Sequence, residues 1–373
     1  MVALARKTLF REWSRFVPAI LAIAFAGVLL TVQAALVLGI FGSAAIYVNA
    51  TSAEIWAGYP GTQSVSLGRP ISRDVEMLLR IDPEVISAEP VFWVDGDWRG
   101  PNGQGGGVSV YLTVINAQPD GLMFDQILPI HLRMRLLEPN AVIVDRADMD
   151  SLGVQAGDDA WIEGKRVHVI AAIAGLRALG GVNVIASEQT AKNLSDSGIT
   201  YFVAHIRHPD QVDAVIQRLN GQTTFGPYEL WSAKEFAWRS QRYWLMDTGA
   251  GTAVLFLAGI VFLVGAVIAS QALTAVVISS SREYATLNAL GAGMNALRRV
   301  VLTQATWIGG IGILIGGILS TGLLLTAARS DVPVTMTPLI ACICIGLVFG
   351  LAFVSGLIAM SGLLRADPAI LMR

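Results

Sequence analysis

His205 and His208 stand three positions apart, a spacing that brings two imidazoles to one face of a helix and suits a metal. Here they lie in a strand-like stretch followed by Pro209, which opposes a helical pair, while His131 and His168 are isolated. Cys342 and Cys344 share a single apolar stretch. Two positions on a helix point to nearly opposite sides, so the geometry argues against a disulfide between them and small buried filler is the expectation. The glycine-rich run Gly100–Gly107 (GPNGQGGG) has no helix behind it to supply an anion-binding amino terminus, and reads as a hairpin tip. No Walker A, His-Glu-x-x-His or Gly-x-Ser-x-Gly pattern is found. The residues therefore point away from catalysis, and no metal or catalytic residue is expected in this chain.

What these residues are embedded in is more informative. Hydrophobic residues make up 54% of the 373 and charged ones only 14%, against about 25% charged in ordinary soluble domains. The net charge of −2 gives no reason to expect a nucleic-acid partner. The apolar excess gathers in four stretches: 16–47, 248–278, 300–328 and 338–364. Each exceeds the roughly 20 residues that cross a bilayer core. No ionisable residue is visible deep in any of them, which disfavours an ion or proton path. Gln33, Gln271 and Gln304 are their notable polar groups, suited to bonds between helices or to a polar cavity between subunits. Gly312-xxx-Gly316 and Gly346-xxx-Gly350 permit close helix packing.

Arginine and lysine set the expected orientation. Arg6, Lys7, Arg11 and Arg15 precede the first stretch, within a segment (1–15) that reads as a basic amphipathic helix on the inner leaflet. Arg282, Arg298 and Arg299 lie between the second and third stretches, and Arg365 and Arg373 follow the fourth. Both termini are thus expected in the cytoplasm of a multi-pass inner-membrane protein. Residues 48–247 are then expected outside the cell membrane, with a cytoplasmic loop at 279–299.

The outer segment reads as an α+β domain. A helix with flanking strands occurs twice: around 72–80, with short apolar runs at 85–88 and 91–94, and around 210–219, between strands near 201–207 and 223–230. Two such halves in one sheet give a split βαβ, porter-like layout. Between them, 141–144, 159–162 and 166–172 read as strands of a small β-rich insert, punctuated by Gly153, Gly157 and Gly164. Residues 229–246 mix Trp231, Phe236, Trp238, Tyr243 and Trp244 with Lys234, Arg239 and Arg242. That composition fits a membrane interface, either as a helical stalk prolonging the second span or as a kinked interfacial helix.

Between the second and third spans, SSSREYATLNALGAGMNALRR (279–299) has Ser281 as a cap, an apolar stripe of Tyr284, Leu287 and Leu290, and Gly291 and Gly293 as terminators. A short helix exposed there offers a knob for a cytoplasmic partner. Residues 281–292 resemble the Arg-Glu-Ile-Gly-hydrophobic-x-Arg-Ala-Leu-Gly-Ala signature of FtsX/MacB-type ABC transporter permeases, with Glu283, Leu287, Ala289, Leu290, Gly291 and Ala292 in register. Tyr284 and Asn288 depart from it. The carboxyl end, Arg365-Ala-Asp-Pro-Ala-Ile-Leu-Met-Arg373, and the stretch AVIVDRADMDSLGVQAGD (141–158) are also similar to the family, and Asp97-Trp98-Arg99-Gly100-Pro101 is most like DevC-type exporter permeases.

The resemblance implies a type VII ABC permease, paired as a homodimer and bound to a separate ATPase that carries ATP and magnesium. This chain itself would hold no cofactor. Ser281, Arg282, Glu283, Tyr284, Leu287, Leu290, Gly291 and Ala292 would seat in that ATPase as a coupling helix. ATP hydrolysis would move the outer domain, a mechanism termed mechanotransmission. A membrane fusion adaptor protein and an outer-membrane channel would complete export of a lipid-like or amphipathic substrate taken from membrane lipid or periplasm. The family also contains FtsX-like signal transducers that regulate an extracytoplasmic hydrolase, and lipoprotein-releasing permeases, and the sequence leaves these alternatives open.

Overall fold

A computed structural model describes residues 13–101, 107–194, 198–220, 223–280 and 294–365. The chain divides into two compact units, one of residues 1–39 and 253–373 and one of residues 40–252.

The first unit is helical. Among the described residues, four helices are long and apolar enough to cross a membrane: Phe16–Asn49, Gly249–Ser279, Arg299–Arg329 and Pro338–Ser355, with mean hydropathy between 2.1 and 2.7. They are called spans 1 to 4 below. Span 1 begins within the Trp13–Gly42 helix, span 3 within Met294–Arg329, and the helix of span 4 continues to Arg365. Their small and branched residues interlock in one cluster of Phe16, Ala19, Ile23, Ala269, Leu273, Ile308, Val348 and Ala352. Span 1 is the common neighbour. A Cβ on Gly265 of span 2 would lie 3.5 Å from Ala26, and one on Gly312 of span 3 would lie 2.8 Å from Ile23. Gly27 of span 1 faces Val348 of span 4 at 3.9 Å. The amino-terminal amphipathic segment expected at 1–15 lies outside the described residues up to Trp13.

The second unit is α+β. Its strands are β1 (Ile55–Gly58), β2 (Val85–Arg99), β3 (Val108–Ile115), β4 (Ala141–Asp145), β5 (Asp159–Ile162), β6 (Lys165–Ile173), β7 (Val182–Ser187), β8 (Tyr201–Ile206) and β9 (Glu229–Ser232). The order β2-β8-β1-β9 is antiparallel at every pairing. It follows that β1 and β2 run parallel with β8 between them, joined through the Asp74–Ile81 helix. Likewise β8 and β9 flank β1 and are joined through the Val212–Leu219 helix. Two interlocked split βαβ units result. Helix stripes Val75, Leu78, Leu79 and Val215, Leu219 pack on one sheet face against Ile55, Ala88, Phe202 and Ala204. The opposite face carries Trp56, Val91, Tyr201 and Val203, and is covered in part by Phe236 and Ala237. With both faces covered, all four residues of β1 are buried.

The insert differs from a free-standing subdomain, because it borrows β2. This strand is 15 residues long, where the sequence reads as two short runs. Its first part pairs with β8, and Phe92–Trp98 pair with Val114–Val108 of β3. With β5 on its other edge, the pairings β2-β3-β7-β4-β6-β5-β2 close a ring of strands. Trp98 fills this ring, fully buried, and donates its indole N–H to the Leu152 carbonyl at 3.0 Å. Gly153, at φ +63°, ends the turn from Met149 in the left-handed conformation that glycine adopts without cost.

The segment 229–246 departs from the stalk expected for it and holds a helix that is broken from span 2. Its first residues form β9, Ala233–Arg242 is a helix capped by Ser232, and Tyr243–Asp247 is a π-turn. Thr248 is extended (ψ 147°), so the helix of span 2 starts afresh at Gly249 and no continuous helical stalk is formed. Trp231 and Phe236 stack at 4.8 Å inside the domain core. Burial claims them in place of a membrane interface. The stretch 223–230, expected to be extended throughout, begins with a 3-10 turn at Thr223–Phe225.

Candidate coupling segment and helix-packing sites

The helix of span 2 runs to Ser279 and that of span 3 starts at Met294. The positions expected to seat in an ATPase, Ser281, Arg282, Glu283, Tyr284, Leu287, Leu290, Gly291 and Ala292, lie outside the described residues. The chain thus leaves one apolar helix and enters the next within a short connection.

The two Gly-xxx-Gly motifs have opposite surroundings. A Cβ on Gly312 would fall 2.8 Å from Ile23 Cγ2 and 3.1 Å from the Ile20 carbonyl, and one on Gly316 would fall 2.8 Å from the Ala24 carbonyl. Spans 1 and 3 therefore approach backbone to backbone, with Ser320 one turn on returning its hydroxyl to the Gly316 carbonyl at 2.7 Å. Gly346 and Gly350 meet nothing within 4 Å among the described residues. Among the described residues of the single chain, that face of span 4 is open. Of the three glutamines, Gln304 is buried, Gln33 half-buried and Gln271 exposed. Cys344 is buried and Cys342 exposed, both as free thiols.

In the soluble unit, His205 and His208 do not converge. His205 Nδ1 lies 2.9 Å from Glu54 Oε2, which also accepts the Ile206 N–H, whereas His208 Nδ1 lies 2.8 Å from Glu84 Oε2. Each imidazole is held by its own carboxylate. Among the described residues no group of three His, Cys, Asp or Glu is arranged to hold a metal.

Sequence reasoning missed a buried polar hub. Arg133, in the Ile130–Arg135 helix, is fully buried and donates to the carbonyls of Asn116 (2.7 Å) and Met123. Glu89, on β2, accepts from Asn116 Nδ2 at 2.9 Å and from the Leu122 N–H at 3.0 Å. Burial pushes the Glu89 carboxyl up, opposed by the Leu122 N–H, by Asn116 and by the charge of Arg133. Burial likewise lowers the Arg133 guanidinium, against the pull of Glu89, Asp125 and Asp120. The pair pins the long 116–128 connection onto β2. Its only sequence signal is an arginine between Leu132 and Leu136, both of which contribute to the same core.

A second contact missed from sequence is the seat of Trp244. Its indole N–H reaches Ser64 Oγ at 3.1 Å, and its ring lies 3.1 Å from where a Cβ on Gly180 would be. Gly180 has φ +98° and lies just before β7, so glycine is required there on both counts. The neighbouring Gly181 packs flat on Tyr111. The π-turn that precedes span 2 is thereby keyed into the strand ring of the insert.

Comparison with known proteins adds the following. Residues 255–368 match the model of the FtsX-like permease C-terminal family. No curated protein matches the chain by sequence. Among solved structures, the periplasmic region of MacB from Actinobacillus actinomycetemcomitans is similar at 11% identity and a TM-score of 0.34, over 50% of this chain and 92% of that one. The extracellular domain of the noncanonic ABC-type transporter YknZ from Gram-positive bacteria is similar at 13% identity and a TM-score of 0.32, over 48% and 98%. The family match runs from span 2 through span 4 and marks residues 255–368 as similar to an FtsX-like permease C-terminal region, and the four apolar spans make the chain an integral membrane protein.

Proposed function

We propose that the chain is the permease subunit of an ABC exporter, which turns ATP hydrolysis in a separate cytoplasmic ATPase into movement of its extracytoplasmic domain and so drives out a lipid-like or amphipathic substrate. The observation that carries this reading is that the family match at 255–368 runs through the whole of Ser281–Ala292 and the paired arginines after it. A short amphipathic segment between two spans is the part of such a chain that a cytoplasmic ATPase can grip. Glu283 supplies the charge, and Leu287 and Leu290 the apolar stripe.

The arginine distribution supports cytoplasmic termini in an inner-membrane protein. A second copy of the chain completes the permease, and an adaptor protein and outer-membrane channel carry the substrate onward. Within residues 40–252 the keyed contact of Trp244 with Ser64 and Gly180 supports a mechanical role, because a displacement of the π-turn is passed to the strand ring and not absorbed by a slack linker.

The test is co-purification followed by activity. Tagged chain, solubilised in mild detergent, is expected to bring down an ABC ATPase together with an adaptor protein. Glu283→Arg combined with Leu287→Asp should uncouple the complex, lowering ATPase stimulation by about tenfold or more. An unchanged ATPase rate in the double variant overturns the coupling role. Recovery of an extracytoplasmic hydrolase in place of an adaptor replaces export with signal transduction.

A further inference from the structure

The soluble unit contains a cavity of about 260 Å³ where β2 passes from the split βαβ sheet into the strand ring. It lies at the bend between the two lobes, and no part of the permease reading uses it. Its apolar walls are Ala88, Pro90, Phe92, Val114 and Leu137. Its polar groups include Arg80, Glu89, Asn116, Gln118, Glu188 and Gln189.

The charges around it are unequally spent. Arg80 donates to Glu76 at 3.0 Å and to the Ala88 carbonyl at 2.7 Å, so its guanidinium is tied to its own helix and strand. Glu188 is paired with Lys192 at 2.8 Å across one helical turn. Arg133, which does not line the cavity, is turned onto backbone carbonyls. Glu89 is different. Only 7% exposed, it has one neutral donor on each carboxylate oxygen, and each oxygen keeps a further lone pair. Among the described residues no cationic side chain bonds it directly; Arg133 acts on it only through its charge, and Asp120 adds negative potential nearby. A buried carboxylate held by neutral donors gains most from a cation that arrives with its own apolar body. An anion entering the same space would meet Glu89 and Glu188.

We infer that this inter-lobe cavity is a binding site for a small organic cation, an ammonium group carried on a ring or branched apolar body, with Glu89 as its counter-ion. The volume sits just under the usual range for drug-sized ligands, about 300–1,000 Å³, so the site takes one ring-sized group and not a long chain. Phe92 and Leu137 close on the body, and the amides of Gln118 and Gln189 lie at the polar part of the lining. The inference goes beyond export and does not require that the bound cation be the one transported.

The test uses the full-length chain in lipid nanodiscs, with empty nanodiscs as the blank, and three probes that share one body: phenylbutylamine, phenylbutanol and phenylbutyrate. Saturation-transfer NMR reads the binding of each. The amine is expected to bind saturably above the blank, with the alcohol and the carboxylate weaker by about tenfold or more, the worth of one charged hydrogen bond. Glu89→Gln, which keeps the volume but removes the charge and turns one of the two accepting oxygens into an amide donor, should weaken the amine by a similar factor. Leu137→Arg, on a rim residue that is 40% exposed, should do the same by placing a cation at the mouth. Circular dichroism checks the fold of both, and the rim variant keeps the test decisive should the buried one disturb it. Equal binding of the three probes, amine binding unchanged in both variants, or no saturable binding above the blank would each overturn the site. Since the assay contains no ATP and no ATPase, such a failure leaves the permease reading standing.

Discussion

The two units of this chain treat large apolar side chains in opposite ways. Within residues 40–252, Trp56, Trp98, Trp231, Tyr201 and Phe236 are all fully buried by neighbours from the same unit. In the helical unit, Phe256, Leu263, Leu314 and Leu339 stand exposed. A core closed by its own chain gains stability from every large side chain it holds. A bundle with open apolar faces depends on lipid or a second chain to cover them. Hydrophobicity marks both regions in the sequence, yet only in the first does it report intramolecular packing.

Matched substitutions break or sharpen this contrast. The largest effect is expected from Trp98→Ala, which empties the strand ring and strands the Leu152 carbonyl. A loss of about 3–5 kcal/mol is expected in chemical denaturation of the detergent-solubilised chain. Phe256→Ala, at a position 73% exposed, should stay within about 0.5 kcal/mol in the same assay. If the second substitution cost as much as the first, the face bearing Phe256 would be covered by another chain, and the contrast would hold only for the single subunit.

A middle-sized effect separates the two glycine motifs. Gly312→Leu drives a side chain into Ile23 and the Ile20 backbone and should cost about 1–3 kcal/mol, seen as a lowered Tm in nanodiscs. Gly346→Leu meets open space and should leave the Tm near that of the parent. Equal sensitivity would reveal that the open face of span 4 is also packed, against a second copy.

The smallest effect concerns Glu89. Its carboxyl is raised in the folded domain, so the folded state holds the proton more tightly than the unfolded one does. Its contribution is therefore complete below the unfolded glutamate value and is lost as pH rises through the raised folded value. Glu89→Gln cannot titrate. Relative to the parent, its Tm should climb as pH rises through that window, and a difference that is flat with pH would contradict the burial argument.

Sequence patterns revealed the elements better than their partners. The paired strand-helix-strand halves were readable because Val212, Val215, Ile216 and Leu219 recur at helical spacing beside alternating strands. β2 looked like two short runs because Glu89-Pro90 interrupts its apolar pattern, and only the structure shows a glutamate held there by Asn116 and Leu122. Trp231 and Phe236 resembled interfacial aromatics because composition next to a span does not tell which side a ring faces. The two glycine motifs read alike for the same reason, since spacing encodes the chance of close approach and not the neighbour. The cavity around Glu89 had no local signature at all, being assembled from residues as distant as Arg80 and Gln189.

The placement of β1 has a consequence for how the chain is made. Ile55 pairs with Ala204 on one edge and with Ser232 on the other. A chain emerging from its amino end therefore delivers β1 long before either partner, with both hydrogen-bonding edges bare and the large Trp56 unshielded. The intervening strand ring can close using only β2 to β7, all of which precede β8. Assembly should thus run from the inserted lobe outward, with the first strand of the split βαβ sheet waiting as a sticky intermediate until the last one arrives. Lesions near β8 or β9 would then show themselves less as weakened activity than as aggregation during biogenesis.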